Sequence, residues 1–307
     1  MDPLSDVLSL LKVKSVLSAR LEAAGPWALR FPAYRHVKFG GVIKGARWVW
    51  IEGVTTPVKM EEGDFCLLTD GSPYCFASDP GVALQDGEKV FASHLDADGI
   101  VRYGAGAMRT ISVGGLFEFD DDMSGLLLDF LPPLVHIRAN SPGGSSLSAA
   151  LELIKAETAS FRPGAGAMAG GIANIVLVNA LRAHLAVSPQ SAGWLGALSD
   201  PRIGAALKMV HEAIARRWKV DELASKVGMS RTAFIERFKE LVGLPPLEYL
   251  IRWRMTMARD ALKTGNDSLS RIAAAVGYTS ETTFSSAFKK MFGQSPGRYR
   301  SAARSKV

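Results

Sequence analysis

Cysteine is scarce in this chain: its 307 residues include only Cys66 and Cys75, and no Cys-x-x-Cys motif is present. Two cysteines cannot build a disulfide framework, so packed cores must hold the fold, and a reducing, cytoplasmic setting is expected. Both residues lie in apolar runs, where cysteine behaves as a small hydrophobic side chain. A redox pair is the alternative, and it requires their two strands to be adjacent.

Long uncharged runs are also nearly missing. Residues 163–181 come closest to a membrane span, but they hold four Gly and two Asn, which favours a buried bundle helix. The N-terminus carries Asp2, Asp6, Lys12 and Lys14 where a signal peptide needs an unbroken apolar core. Neither a targeting segment nor a membrane partner is therefore expected.

The overall net charge is only +6, but its distribution is uneven. From Asp200 onward the chain has 20 Lys and Arg and 10 Asp and Glu, a net charge of +10 over 108 residues. The first 199 residues have 16 basic and 20 acidic residues, a net charge of −4. This asymmetry indicates a basic module that binds a polyanion, in a chain long enough for two domains.

Short apolar runs separated by Gly, Pro and Asp clusters occupy residues 26–137. Their β-branched and aromatic content predicts an antiparallel sandwich or barrel. A helix is expected before this region, because apolar residues recur at roughly helical spacing at Val7, Leu10, Leu11, Val16 and Leu17.

Two further helices are predicted after the linker-like residues 140–146. Their apolar stripes are Leu147, Leu151 and Ile154 in the first helix, and Ile175, Val178, Leu181 and Leu185 in the second. Such stripes suit a dimer contact, although packing on the preceding barrel explains them equally well.

The basic segment contains an internal repeat with a separation of 49 to 50 residues. Ten pairs of identical or similar residues carry it: Leu223/Ile272, Ala224/Ala273, Val227/Val276, Gly228/Gly277, Phe234/Phe284, Phe238/Phe288, Lys239/Lys289, Gly243/Gly293, Pro246/Pro296 and Tyr249/Tyr299.

Each copy of the repeat predicts a helix, a tight turn and a second helix. Gly228 and Gly277 end the first helices, and Ser230 and Ser280 are suitable N-caps for the second ones. The expected core residues of the second helices are Phe234, Phe238 and Leu241 in one copy, and Phe284, Phe288 and Met291 in the other. One copy alone would suit any helical bundle. Two copies in a basic segment favour a tandem helix-turn-helix.

Three stretches of this segment resemble the DNA-binding domain of the AraC/XylS family of transcription regulators. They are VDELASKVGMSR at 220–231, IAAAVGYTS at 272–280 and FKKMFGQSPGRYR at 288–300. In that family a long helix joins the two motifs, and residues 249–263 suit it, with Ile251, Met255, Ala258 and Leu262 at helical spacing. The resemblance implies a transcription regulator that binds double-stranded DNA.

The N-terminal part is similar to the cupin-like domain of a subgroup of these regulators. PWALRFP at 26–32, GDFCLLTDGSP at 63–73 and GWLGALSDPRI at 193–203 carry this likeness. The resemblance implies a sensor of a small-molecule effector, dimerisation through the helices after the barrel, and contact with RNA polymerase if the protein is an activator. His36, Trp48 and Tyr74 are candidate ligand-pocket residues.

Catalytic cupins resemble one another in a His-x-His pair, a Glu and a later His that bind a metal. The five histidines of this chain are isolated, and Tyr74 stands where such a ligand often lies. We therefore expect no catalytic residue, metal or cofactor. A metal-dependent cupin enzyme with a DNA-binding tail is the alternative, and an architectural DNA binder with little sequence preference is a third possibility.

The resemblance also implies that each chain places two recognition helices in successive major-groove segments. The base-reading candidates are Thr232, Ile235, Glu236, Glu281, Thr282, Thr283 and Ser286. Many family members have Arg where Ser286 stands, so direct readout by the second helix is expected to be weaker here. The phosphate-binding candidates are Ser230, Arg231, Lys239, Arg252, Arg254, Ser280 and Lys289.

The predicted fold class is therefore α+β, with a cupin-like β-barrel and flanking helices followed by an all-α domain with two helix-turn-helix motifs. The expected boundaries are a sensor at 1–139, a helical linker and dimerisation region at 146–199, and a DNA-binding domain at 200–302.

Overall fold

The computed structural model describes residues 2–11, 13–17, 19–35, 37–119, 131–158, 163–187 and 194–304. The chain forms two compact units. One, the sheet unit, spans Leu11–Pro189, and the other, the helical unit, joins Met1–Leu10 to Gln190–Val307. Residues 1–10 are thus part of the same compact unit as the C-terminal third of the chain, whereas the sequence analysis placed them in the N-terminal domain.

The described strands all lie in the sheet unit. In chain order they are β1 (Lys14–Leu17), β2 (Arg20–Ala24), β3 (Ala28–Phe31), β4 (Val37–Lys44), β5 (Arg47–Ile51), β6 (Val58–Met60), β7 (Phe65–Leu68), β8 (Tyr74–Ala77), β9 (Gln85–Asp86), β10 (Ile100–Gly104), β11 (Arg109–Glu118) and β12 (Leu134–Ile137). One sheet has the order β10-β2-β11-β4-β7-β12, with β1 also paired to β11. The other has the order β6-β5-β8-β3-β9. The pairs are antiparallel except β10 with β2 and β3 with β9.

The main core of this unit lies between the two sheets, because it combines buried residues from both, such as Leu21 and Val42 with Leu29 and Val49. Strand β5 shows the expected alternation: Arg47, Val49 and Ile51 are buried, and the tryptophans between them are half-buried. The antiparallel, sheet-rich N-terminal domain expected from the sequence is confirmed.

Three helices accompany the sheets: α2 (Gly87–His94), α3 (Gly144–Thr158) and α4 (Ala165–Val187). Helix α3 packs Leu151 where Gly41 of β4 leaves room for it, since a Cβ on Gly41 would lie 2.3 Å from the leucine Cδ2. Helix α4 covers residues 163–181 in part, and no described helix is long and apolar enough to cross a membrane.

Two details of the predicted helices are wrong. The N-terminal helix α1 (Pro3–Leu11) ends earlier than the pattern suggested, and Val16 and Leu17 belong to β1, where Val16 pairs with Leu116. In α4, Ile175 is 53% exposed, and the buried face instead contains Val176 and Leu177. Strand pairing and helix rotation are decided by distant partners that a local stripe does not contain.

The helical unit contains α5 (Trp194–Ala197), α6 (Pro201–Glu212), α7 (Val220–Lys226), α8 (Arg231–Val242), α9 (Pro246–Thr264), α10 (Leu269–Ala275), α11 (Glu281–Phe292) and α12 (Pro296–Arg304). The long helix α9 begins with prolines, which suit a first helical turn because the missing N–H has no partner there. It buries Met255, Ala258 and Leu262 as expected, but Ile251 is 44% exposed, and Trp253 is buried instead.

A buried chain of hydrogen bonds fastens α1 to this unit. The Asp6 carboxylate lies 3.0 Å from His211 Nδ1, and His211 Nε2 lies 2.7 Å from the Tyr249 hydroxyl. Trp194 Nε1 donates to the same hydroxyl at 2.7 Å. The His211 ring also stacks on Trp253, with ring centroids 4.2 Å apart. This network explains why residues from the start of the chain belong to the helical unit.

Candidate nucleic-acid interface

The first helix-turn-helix consists of α7 and α8. Its turn passes through Gly228, whose φ of 66° is the left-handed conformation that glycine adopts without steric cost. Ser230 caps α8 by accepting a hydrogen bond from the Ala233 amide at 3.3 Å. Gly243, with φ of 80°, ends the helix. Local sequence therefore specifies both ends of α8.

The second motif, α10 and α11, repeats these devices. Gly277 forms the turn with φ of 83°, Ser280 accepts from the Thr283 amide at 3.4 Å, and Gly293 ends α11 with φ of 74°. A Cβ on Gly277 would also lie 2.6 Å from the Ala215 carbonyl oxygen. Glycine is thus required here for the close approach as well as for φ, whereas Gly228 has open space around it.

Both second helices bury an aromatic face. Phe234 and Phe238 pack with ring centroids 5.6 Å apart, and Phe284 and Phe288 pack at 5.9 Å. These four rings are fully buried, as the repeat predicted. Met291 is an exception: it is 37% exposed, so it does not fill the core as expected. The partly buried Phe292 packs against that core, with its ring centroid 4.7 Å from that of Phe288 and the two rings tilted.

The opposite faces of α8 and α11 hold the predicted base-reading residues. Thr232 and Glu236 are exposed one turn apart on α8, with Ile235 half-buried beside them. All four candidates on α11 are exposed, namely Glu281, Thr282, Thr283 and Ser286. Each helix therefore presents a short polar surface near its N-terminal end, away from its phenylalanine core.

The predicted phosphate-binding residues differ in whether they form ion pairs with acidic side chains of the protein. Lys239 and Lys289 are exposed at equivalent positions, and the structure records no ion pair for either lysine in the described part of the chain. Arg231 forms an exposed ion pair with Asp221 at 3.1 Å, and Arg252 forms one with Glu248 at 2.8 Å. Exposed pairs of this kind are weak and exchange readily for another anion.

Arg254 has a different environment from the one expected. Its Nε donates to the Ile214 carbonyl at 2.9 Å and its Nη2 to the Arg216 carbonyl at 2.8 Å, and burial lowers its pKa. The guanidinium thus fastens α9 to the segment after α6, and we do not assign it a phosphate. Arg237 of α8 is likewise bound, to Asp200 at 3.1 Å and to Glu240 at 3.0 Å.

The sheet unit contains a cavity of about 350 Å³ between its two sheets. Of the predicted pocket residues, Tyr74 lines it, Trp48 is half-buried in β5 and is not among its lining residues, and His36 lies outside the described residues. Sequence reasoning missed two basic lining residues, Lys38 and Arg47. The signal for Arg47 was its inward register with Val49 and Ile51.

The described histidines bond individually to other groups. His136 Nε2 lies 2.9 Å from the Asp64 carboxylate, and His94 Nδ1 lies 3.0 Å from the Val90 carbonyl. Among the described residues, no three His, Cys, Asp or Glu side chains come together as a metal-binding group.

The two cysteines lie in different sheets, Cys66 in β7 and Cys75 in β8, so their strands are not adjacent. Both thiols are free and buried. Burial raises the pKa of Cys66 and raises that of Cys75 to about 11, which keeps both protonated at neutral pH. The condition for a redox pair is therefore not met.

Comparison with known proteins places both units. A cupin family model matches residues 2–186, and a helix-turn-helix domain model matches residues 223–302. An AraC-like transcription regulator of Streptomyces lividans is 44% identical over 302 residues, which cover 98% of each chain. The regulator AlkR of Acinetobacter baylyi is 30% identical over 305 residues, 98% of this chain and 99% of that protein.

The DNA-binding domain of the transcriptional factor AdpA, solved with a target DNA, is similar to part of this chain. It shows 32% identity, covers 35% of this chain and 96% of that one, and has a TM-score of 0.34. A capped helix-turn-helix pair together with a cupin-type domain defines a DNA-binding regulator. More particularly, the chain belongs to the AraC-like family of transcription regulators.

Proposed function

We propose that this regulator reads two successive major-groove segments with the two recognition helices of each chain. The observation that carries the proposal is the duplication of the helix that follows each turn: α8 and α11 have equivalent serine caps, equivalent phenylalanine cores and the same pattern of exposed positions. A major groove accepts one α-helix, and successive segments on one side of the duplex lie about 34 Å apart.

The exposed residues determine what each helix can read. Glu236 can accept a hydrogen bond from cytosine N4, and Thr232 can bond to a base or touch a thymine methyl group. Ile235 offers an apolar contact only. Helix α11 can make the same kinds of base contact through the Glu281 carboxylate and the hydroxyls of Thr282, Thr283 and Ser286. None of these side chains can form the two parallel hydrogen bonds that an arginine makes to a guanine.

Phosphate binding would come from a different set of groups. Lys239 and Lys289 supply charge at equivalent places, and Arg231 and Arg252 can exchange an exposed carboxylate for a phosphate. The two capping serines, Ser230 and Ser280, use an oxygen lone pair for the cap and keep the hydroxyl proton for a phosphate oxygen. These contacts position the protein without reading sequence.

Binding titrations on a specific and a scrambled duplex separate the two roles. Glu236→Ala is expected to reduce the preference for the specific duplex, because it removes a hydrogen bond to a charged group, worth about 1.5–3 kcal/mol. Lys289→Ala should weaken binding to both duplexes by a similar factor. Glu62→Ala, which removes an exposed acid of the sheet unit outside the proposed dimer contact, is the matched control for charge. Equal losses for Glu236→Ala on both duplexes would refute its base-reading role.

The cavity in the sheet unit supports control by a small-molecule effector. Its volume of about 350 Å³ lies within the range of small-ligand sites. Of the two sequence-predicted pocket residues that lie in described strands, Tyr74 is the one that lines it. A screen of metabolites by thermal shift is the direct experiment: a true effector raises the melting temperature and changes the DNA affinity. Failure of every compound to do either would count against an effector.

The domain roles and partners complete the proposal. We assign sensing to residues 1–139, dimerisation to 146–199 and DNA binding to 200–302, with RNA polymerase as a partner if the protein activates.

The exposed Leu153, Met168 and Ile175 on α3 and α4 support a homodimer contact. Ile175→Glu should convert a dimer to a monomer in analytical ultracentrifugation, whereas Leu84→Glu, another exposed apolar position, should not. Buried free thiols suit a reducing cytoplasm.

A further inference from the structure

The cavity of the sheet unit contains a buried arginine that lacks an acidic partner in the described part of the chain. Arg47 is 3% exposed and lines the cavity, and its Nε has no hydrogen-bond partner there. An isolated buried charge is costly, so native structures pair it or give it a ligand. A guanidinium stays protonated even where burial lowers its pKa, as it does here.

The described neighbours of Arg47 satisfy it poorly. Its guanidinium carbon lies 4.1 Å from the centre of the Phe76 ring, and its Nη2 lies 4.0 Å from the Cys66 thiol. The backbone nevertheless makes room for it: a Cβ on Gly40 would lie 2.5 Å from that Nη2. The side chain is thus held in place, while its Nε has no hydrogen-bond partner among the described residues and its Nη2 has only a thiol at 4.0 Å.

A second cation lines the same cavity. Lys38 is half-buried, and its Nζ lies 5.6 Å from the ring centres of both Tyr34 and Tyr74. Glu88 of α2 also lines the cavity and is exposed. Two positive groups and one negative group leave the cavity with a net charge of about +1, which one monovalent anion would neutralise.

The rest of the lining favours a flat apolar body. Phe31 stacks on Tyr74 with ring centroids 5.0 Å apart, and Phe91 and Phe76 meet Phe31 edge-on at 5.4 and 5.9 Å. Aromatic walls of this kind hold planar or aliphatic groups by stacking and apolar burial.

We propose that the cavity binds a small organic monocarboxylate, with its carboxylate on Arg47 and Lys38 and its apolar body against the aromatic side chains. The guanidinium fork fits a carboxylate, and the net charge of +1 suits a monoanion better than a phosphate ester dianion. This inference rests on the proposed effector role of the sheet unit and specifies the chemical class of the effector.

Matched acid and amide probes test the inference on the full-length protein. The probes are 3-phenylpropanoate, 2-naphthoate and indole-3-acetate, each compared by calorimetry with its primary amide, which has the same shape and no charge. The wild type is expected to prefer an acid over its amide by about 10- to 100-fold, the range for hydrogen bonds to charged groups.

Three variants locate the carboxylate. Arg47→Met removes the charge and keeps an apolar side chain of similar length, so it should abolish the preference for the acid and leave amide binding nearly unchanged. Arg47→Lys restores charge without the fork and should recover part of the preference. Arg30→Met is the control, because Arg30 is exposed and paired with Glu52. Amide binding by Arg47→Met also shows that the variant is folded.

The outcomes separate this inference from the broader effector role. Amides that bind as tightly as acids, or an Arg47→Met variant that still prefers acids, would overturn the carboxylate site and leave an effector pocket in place. No binding by any probe would overturn the carboxylate site, and the thermal-shift screen would then decide the effector role. DNA reading is tested independently of both.

Discussion

Helices α8 and α11, the two proposed recognition helices, have equivalent caps and cores and differ in the chemistry of their exposed faces. Helix α8 presents Glu236 and the half-buried Ile235 with Thr232, whereas α11 presents mainly hydroxyls, with Glu281 at its first position. Their caps and buried rings are nearly equivalent. The repeat thus preserves the residues that fold each helix, while the exposed residues differ between the two copies.

The largest expected difference between the two motifs is the loss of stability when alanine replaces the glycine of each turn. Gly277→Ala forces an alanine into left-handed backbone and against the Ala215 carbonyl, at a cost of about 3 kcal/mol. Gly228→Ala has the same backbone strain but open space, and should cost about 1 kcal/mol. Hydrogen exchange of the amides of each motif measures the loss locally. Equal losses at the two turns would show that the contact at Gly277 is unimportant.

The next difference concerns how strongly the exposed residues of each helix discriminate between base pairs. Ser286→Ala removes a single neutral hydroxyl and should change discrimination at any base pair by about 0.5–1.5 kcal/mol, against about 1.5–3 kcal/mol for the charged Glu236 in Glu236→Ala. Binding competition with duplexes that each carry one substituted base pair measures both. If Ser286→Ala proved the more damaging change, the assignment of stronger direct readout to α8 would be wrong.

A smaller expected effect is the pH dependence of stability that comes from the buried His211, which bonds to Asp6 of α1. Burial lowers its pKa below the usual value near 6.5, although the Asp6 carboxylate opposes this. The unfolded chain therefore binds more protons than the folded one below pH of about 6.5, so the free energy of unfolding falls as the pH falls through that value.

Hydrogen exchange of α6 and α9 amides between pH 7.5 and 5.5 measures this loss. His211→Gln should remove most of the pH dependence in these helices, and His94→Gln should leave it. His184 is half-buried, and burial lowers its pKa as well, but it lies in the sheet unit, so local measurement separates the two. An unchanged pH profile in His211→Gln would contradict this account.

The helices and turns of the helical unit could be predicted well from the sequence, because the residues that specify them lie close together along the chain. Glycine turns, serine caps and phenylalanines at helical spacing depend on a few neighbours, and the structure confirms each of them. The exposure of Ile251 and Met291 was not predictable in this way, because which side of a helix is covered depends on the elements packed against it. Arg254 shows the same limit, since its carbonyl partners lie about 40 residues away.

The sheet unit was less predictable for the same physical reason. Its strands pair across long separations, so Val16 and Leu17 gave a helical stripe but form a strand beside β11. The cavity is assembled from β3, β4, β5, β8 and α2 among other elements, and no local pattern brings Lys38 near Arg47. Tyr74 was recognised through family likeness. The alternation of β5 marks Arg47 only as an inward-facing residue, and its place in the cavity depends on residues of other strands.

One chain is proposed to read two DNA segments with its two helices α8 and α11. The most direct test measures binding to a complete set of single-base-pair variants of a footprinted site, for the wild type, Glu236→Ala and Thr282→Ala. We predict that Glu236→Ala relaxes discrimination in one segment and Thr282→Ala in another, about one helical turn away. Relaxation of the same base pairs by both variants, or of none by either, would contradict the claim.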